Sequence, residues 1–419
     1  MRGPISDHRQ SRRKTVDVTT IDAFPLALSS AAATAFHRKL REAGPVHEAI
    51  DPDGIPVWLV TRYDDVAALL VDPRVVNKRP GGSHSPTGVR RSPGLRLPPM
   101  LARNLLNMMP EDHRRIRSLA APAFSRRRMT AMRPTIERHV AELLDQLTPD
   151  STGAVDLFAG LTSPLPALVI AEILGVNDEE LQVFRDNAAV VALIDPSDPA
   201  SDERRTPALA AIVMVMAGMI GRKRENPGDD VISEWISARD EDDRLTEPEL
   251  ISLATLVFGA GFENSVYQIA NAIGILAEDA DRAHVLELAD DEDRWRAHIE
   301  NLLPAAAPIS YAIRRFCTED LEIGDATIPA GDPIMLSLRA AGDDPARGDR
   351  PPLPYGRGPH FCIGAELATL QLEIATRAVF RRFPTLRLVT PLDELQGRMA
   401  WRNQGPIQLP AHLEIPTRD

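Results

Sequence analysis

Between Glu111 and Leu303 apolar residues return every three or four positions, the period that lays one face of a helix on a core. The pattern predicts helices over Glu111–Ala121, Met129–Leu147, Pro166–Leu174, Asp178–Val191, Pro207–Lys223, Val231–Arg239, Glu247–Glu278 and Asp291–Leu303. Shorter helical stretches, Ala32–Ala43 and Asp64–Leu70, flank an extended run at His47–Val60. Arg79–Pro99 has no period and is rich in Pro, Gly, Ser and Arg, so it reads as a long irregular loop, a feature that is usually functional inside a compact domain. After Arg315 the pattern changes. Strand-like runs alternate with turns as far as Ile334, a Pro- and Gly-rich passage spans Gly342–Gly364, a last helix covers Ala365–Phe383, and Leu386–Ile415 reads as short strands. The fold class is therefore mainly α with small β-sheets. Residues 1–20 are expected to form a mobile polar tail and residues 21–419 a single domain.

Composition narrows the class of protein. A hydrophobic share of 43% over 419 residues is enough for a large core, and a net charge of -12 argues against a nucleic-acid binder. Met1–Thr15 is polar and basic, unlike a secretory signal. Of the two apolar stretches, Pro207–Gly221 is too short to span a membrane and Ile251–Ala277 carries Glu263 at its middle. A cytoplasmic protein with no membrane partner is expected. Its two cysteines, Cys317 and Cys362, are then reduced, and Cys317 reads as core.

The strongest chemical signal is Tyr355-Gly356-Arg357-Gly358-Pro359-His360-Phe361-Cys362-Ile363-Gly364, running straight into a helix. A cysteine at that point sits where backbone N–H groups favour an anionic sulfur, and the glycines permit positive φ and close approach to a flat group. Alone, Cys362 reads equally well as a buried structural cysteine. A second element places His113 and Arg117 four apart on one helical face, able to grip carboxylates or simply to be solvated. A third, Phe258-Gly259-Ala260-Gly261-Phe262-Glu263-Asn264-Ser265, puts two glycines inside a helix. Each costs roughly 1 kcal/mol relative to alanine, which calls for a kink or bulge beside a ligand, or for close helix packing.

The ten-residue segment resembles the heme-binding signature of the cytochrome P450 family, with Tyr355 where phenylalanine is usual, and similarity in order and spacing runs from about Ile21 to Leu413. The resemblance implies a triangular-prism fold with heme b between a long central helix and the cysteine loop. It implies Cys362 as the metal ligand, and His113, Arg117, Arg315 and His360 as propionate contacts, with Tyr355, Gly356 and Gly364 completing the cofactor cradle. It implies a catalytic stretch of Ala260, Gly261, Glu263, Asn264 and Ser265, in which Glu263 matches the family's acid and Asn264 replaces its threonine.

Two departures accompany the match. Asn301 and Pro304 stand where the family has the glutamate and arginine of a Glu-x-x-Arg element, and the short passage from Asp344 to Tyr355 leaves little room for the family's meander. Removing one partner of a buried ion pair is costly, whereas removing the whole set is close to neutral, so the concerted loss reads as a coherent variant. Family members that couple aromatic rings in peptides are among those lacking the threonine, which points to oxidative tailoring or crosslinking of aromatic side chains in bacterial secondary metabolism. The rival readings are a hydroxylase or epoxidase of a small hydrophobic product and a non-catalytic scaffold.

The resemblance further implies a small ferredoxin and a ferredoxin reductase as electron donors, with Arg114, Arg115, Arg126, Arg127 and Arg128 as the docking patch, and a monomeric chain. The substrate pocket is expected to draw on Arg79–Leu105, Val190–Met219, the helix around Ala260, and Ile309, Ser310 and Tyr311. Arg90, Arg91 and Arg96 there point to a carboxylate-bearing substrate such as a short peptide, or are solvated.

Overall fold

The computed structural model describes Phe24 and residues 30–51, 55–80, 101, 103–192, 201–237, 245–397 and 403–413. The expected tail and residues 81–100, with Arg90, Arg91 and Arg96, lie outside them. The helices that position the site are α1 (Ser30–Ala43), α2 (Pro110–Ala120), α3 (Arg133–Asp145), α4 (Pro164–Leu174), α5 (Asp178–Ala192), α6 (Ser201–Glu225), α7 (Glu247–Ala277), α8 (Glu292–Ala306), α9 (Leu338–Gly342) and α10 (Ala365–Arg382).

Helix α7 starts with a reciprocal cap: the Thr246 hydroxyl accepts from the Glu249 amide, and the Glu249 carboxylate accepts from the Thr246 amide at 2.9 Å. It packs against α4, α6, α8 and α10, which explains why it is apolar on most of its circumference. Both α7 and Glu203–Glu225 are long and apolar enough to cross a membrane, yet 50% and 44% of their apolar windows are buried among the other helices.

Five short strands form the main sheet: β1 (Val46–Ile50), β2 (Pro56–Val60), β3 (Val75–Val76), β4 (Arg315–Cys317) and β5 (Pro333–Leu336), in the order β1-β2-β5-β4-β3. The β2–β5 pair is parallel and the others antiparallel, with Trp58 opposite Ile334, Arg315 opposite Ile334 and Val75 opposite Cys317. Arg315 on β4 is buried. Cys317 is core as expected, and burial pushes its thiol up to about 12.

Prolines account for two differences from the sequence pattern. Met129–Leu147 is two helices, Arg126–Ala131 and α3, because Pro134 lacks the N–H that would continue the first. Pro207 is not the start of α6 but lies inside it, the helix beginning at Ser201. A helix the pattern does not show, Arg282–Asp290, starts at an Asp281 cap that accepts from the His284 amide. Finally, α7 is α-helical throughout, Gly259 and Gly261 included, so of the kink or bulge weighed there no bulge interrupts the helix.

Candidate active site

The cysteine loop is set by two glycines in the left-handed region, Gly356 at φ +72° and Gly358 at φ +74°. A Cβ on Gly358 would also lie 2.6 Å from the Val71 side chain, so the loop closes against the helix end there only without one. The Cys362 amide donates to the Tyr355 carbonyl at 3.0 Å, which folds the sulfur back beneath residue 355, and α10 begins three residues later. Gly364 has ordinary φ and open space where a Cβ would be. Cys362 is exposed to a cleft whose walls still desolvate it, pushing its thiol up. The Gly364 amide and the Arg117 guanidinium oppose this by favouring the thiolate.

Around this sulfur the chain gathers positive and donor groups from three distant segments. His113 on α2 is buried, with its ring centroid 3.9 Å from that of His360. Arg117, one turn further along α2, donates to the Phe361 carbonyl. Arg315 is 4% exposed on β4 and donates to the Leu70 carbonyl at 3.1 Å, while its Nε is buried with no partner. Burial lowers His113 to about 4, with Arg117 and Arg315 adding repulsion, and lowers His360 to about 3, with His113, Arg315 and Arg117 adding theirs. Arg315 falls to about 10 through burial. No carboxylate contributes to any of these three shifts, so the cluster is built to receive anionic charge from outside the chain. Two carboxylates on a flat macrocycle beside a thiolate meet every part of that demand, and the residues fit heme. Cys362 would hold its iron, and His113, Arg117, Arg315 and His360 its propionates.

The α7 wall has its own logic. Ala260 is exposed although helices pack around α7, which marks a cleft, and a Cβ on Gly259 would meet nothing. Gly261 has the other reason weighed for it: a Cβ there would lie 3.2 Å from Ile170 of α4, so this glycine serves helix packing. Asn264 shares the Ala260 face and donates to the Ala260 carbonyl at 3.1 Å. Ser265 lies one residue round, on the Gly261 side, and is buried away from Asn264. Glu263 is half-buried.

Three further residues join the site without having been legible in its motifs. The Tyr355 hydroxyl exchanges hydrogen bonds with the Gln268 amide of α7 at 3.1 Å and with Thr369 of α10 at 3.1 Å, tying the cysteine loop to both helices. Burial raises that phenol to about 12. Gln268, a polar residue within an apolar run, was the available signal. Asn403 donates to Asn264 at 2.9 Å across 139 positions of sequence, for which no local pattern exists. Of the expected pocket residues, Tyr311 is core instead, packed edge-on to Phe24 at 4.8 Å.

In place of the Glu-x-x-Arg element, Asn301 is exposed and Pro304 sits in the last turn of α8 against Gly342. Arg339 of α9, 8% exposed, serves that corner. It donates to the Ala305 carbonyl of α8 at 3.1 Å and to Thr34 of α1 at 2.9 Å, and pairs with Asp343 at 3.3 Å.

A cysteine loop, an anion-receiving cluster beside it and a long central helix joined to the loop through Gln268 are the parts of a heme-thiolate enzyme. No protein-family model matches the chain. It is 34% identical over 388 residues to cytochrome P450 107B1 of Saccharopolyspora erythraea, covering 89% of this chain and 93% of that one. It is 33% identical to the mycinamicin IV hydroxylase/epoxidase of Micromonospora griseorubida over 89% of this chain and 93% of that one. The putative thioether synthase SgvP, involved in the tailoring step of griseoviridin, superposes with a TM-score of 0.80 at 31% identity, over 94% of this chain and 100% of that one. The chain belongs to the cytochrome P450 family, and it is a heme-containing monooxygenase-type enzyme of bacterial secondary metabolism.

Proposed function

We propose that the chain is a cytoplasmic tailoring oxidase that removes electrons or hydrogen from aromatic side chains of a short peptide-like substrate and so crosslinks them, drawing electrons from a ferredoxin and its reductase. Heme, when bound, supplies the iron on which dioxygen is activated. The observation that carries the reading is the state of position 264: an amide stands where the family has a hydroxyl, and both ends of that amide are engaged within the protein. An amide does not pass a proton as a hydroxyl does, and the family members that couple aromatic rings in peptides are among those without that hydroxyl, which supports the coupling reading. Glu263 on the same wall remains as an acid. The rival, a conventional hydroxylase or epoxidase, is favoured by whole-length similarity to the mycinamicin enzyme.

Two measurements test this. The reduced, carbon-monoxide-bound protein is expected to show the long-wavelength Soret band of a thiolate-ligated heme. With reductase and ferredoxin, a panel of tyrosine- and tryptophan-containing peptides is expected to give products two hydrogens lighter. Products one oxygen heavier, without any loss of two hydrogens, would select the hydroxylase instead.

A further inference from the structure

The amide chain on the α7 wall has a fixed polarity. The Ala260 carbonyl accepts only, so the end of the Asn264 side chain that meets it at 3.1 Å is Nδ2, and its Oδ1 is turned the other way. Asn403 reaches that oxygen at 2.9 Å and must therefore present its own Nδ2. Asn403 is itself held by its neighbours. It bridges to Ile309, and the next residue, Gln404, donates its amide to the Pro308 carbonyl at 2.8 Å and accepts at its side chain from Ser310 at 3.1 Å. Asn271, two turns along α7 from Asn264, donates to the Gln404 carbonyl at 3.1 Å and to the Ala306 carbonyl at 3.2 Å. The segment carrying Asn403 is thus stitched to α7 and to the end of α8.

We infer that Asn403 is a positioning residue that locks the Asn264 amide with its oxygen turned toward Asn403, so that the group position 264 turns to the cleft is an N–H donor rather than the amide oxygen. The Asn264 amide nitrogen has a second hydrogen beyond the one given to Ala260. With that polarity the wall favours a ligand atom bearing a lone pair, a carbonyl, ether or water oxygen, and disfavours one bearing only hydrogen. Without Asn403, the oxygen of Asn264 is unpaired and the side chain is free to turn.

The inference rests on the reading that this wall faces the heme, and two small ligands test it on the heme-loaded full-length protein. Cyanide binds iron through carbon and leaves a nitrogen lone pair outward, whereas imidazole leaves an N–H outward. In Asn403→Ala, Asn403→Asp and Asn264→Ala the dissociation constant for cyanide is expected to rise about fivefold, the usual worth of one neutral hydrogen bond, while that for imidazole does not rise. Asn403→Asp keeps the shape but cannot donate, so it separates orientation from packing. In Asn264→Ala/Asn403→Ala the cyanide loss is expected to be no larger than in either single variant, and the two single losses of Tm are expected to exceed that of the pair. Wild-type cyanide affinity in both Asn403 variants, or Tm losses that add, overturns the inference. A wild-type protein without the thiolate Soret band overturns the heme reading instead, and the thermal cycle then decides the amide pair by itself.

Discussion

His37 shows how one buried side chain sets a property of the whole chain. It lies on α1, fully buried, with Nδ1 3.2 Å from the Ser337 hydroxyl and Tyr311 at 5.4 Å between ring centroids. Burial first, and then the nearby Arg339 and Arg41, lower it to about 3. The folded state therefore keeps the ring neutral while the unfolded chain takes up a proton below about pH 6.5. Between about 6.5 and 3 the unfolded state binds more protons, so acidification destabilises the fold, with a limiting slope of about 1.4 kcal/mol per pH unit from this one group. His37→Gln keeps a hydrogen-bonding side chain but cannot titrate. Its Tm is expected to fall less steeply than wild type from pH 6.5 to 4.5, and parallel curves would assign the acid sensitivity elsewhere. His113 and His360 carry shifts of the same sign, but heme carboxylates beside them would change those, which makes His37 the cleaner probe.

At the scale of elements, Arg339 holds the corner between α1, α8 and α9, close to the Pro304 that stands where the resemblance puts the family's arginine. Arg339 joins all three helices, and Arg41 adds a bond to the Ala340 carbonyl at 2.9 Å and a pair with Asp344 at 3.7 Å. Asp344 in turn accepts from the Tyr63 amide at 2.9 Å. Truncating Arg339 would leave the Ala305 carbonyl and the Thr34 hydroxyl without its bonds and the partly buried Asp343 without its cation. Arg339→Ala is expected to destabilise by about 3 kcal/mol, read as a lower urea midpoint and faster loss of heme, with Arg339→Lys recovering part because it keeps the charge without the fork. A midpoint equal to wild type would show that this corner bears no strain when opened. The sequence announced what was missing here, since Asn301 and Pro304 cannot form the family's pair, but not how this corner is held. Arg339, Thr34 and Ala305 meet only once three separated segments are packed. The same division holds for the site: Cys362, His360, His113 and Arg117 sit in local motifs and were legible, whereas Asn403, Thr369 and the burial of Ser265 depend on tertiary register.

Across the whole molecule, charge is distributed against its average. The chain carries a net charge of -12, yet its cysteine-loop side holds basic residues contributed by the segment after α2. Arg126 lies 3.7 Å from Glu366, four residues beyond Cys362, with its side chain 82% exposed, which puts it on the heme-ligand side of the protein. The five-arginine patch expected from sequence is smaller than it looked. Arg115 is paired with Glu249, and Arg128 with Glu234 and Asp229, so both are partly neutralised within the fold. Arg114 and Arg127 are exposed, and Arg126 is exposed beside Glu366, so these three are the ones through which the proposed acidic partner would be attracted. Exposed charges act over roughly 8 Å at physiological salt, so they affect encounter rate more than the final complex. Arg126→Glu/Arg127→Glu is therefore expected to slow reduction by a ferredoxin on the order of tenfold at low salt, with the difference from wild type shrinking as salt rises. Arg128→Glu is expected to lower Tm as well, because it sets a third acid beside Glu234 and Asp229. Stopped-flow reduction across a salt series separates the two effects: a double variant reduced at the wild-type rate at low ionic strength would move the docking surface off this face.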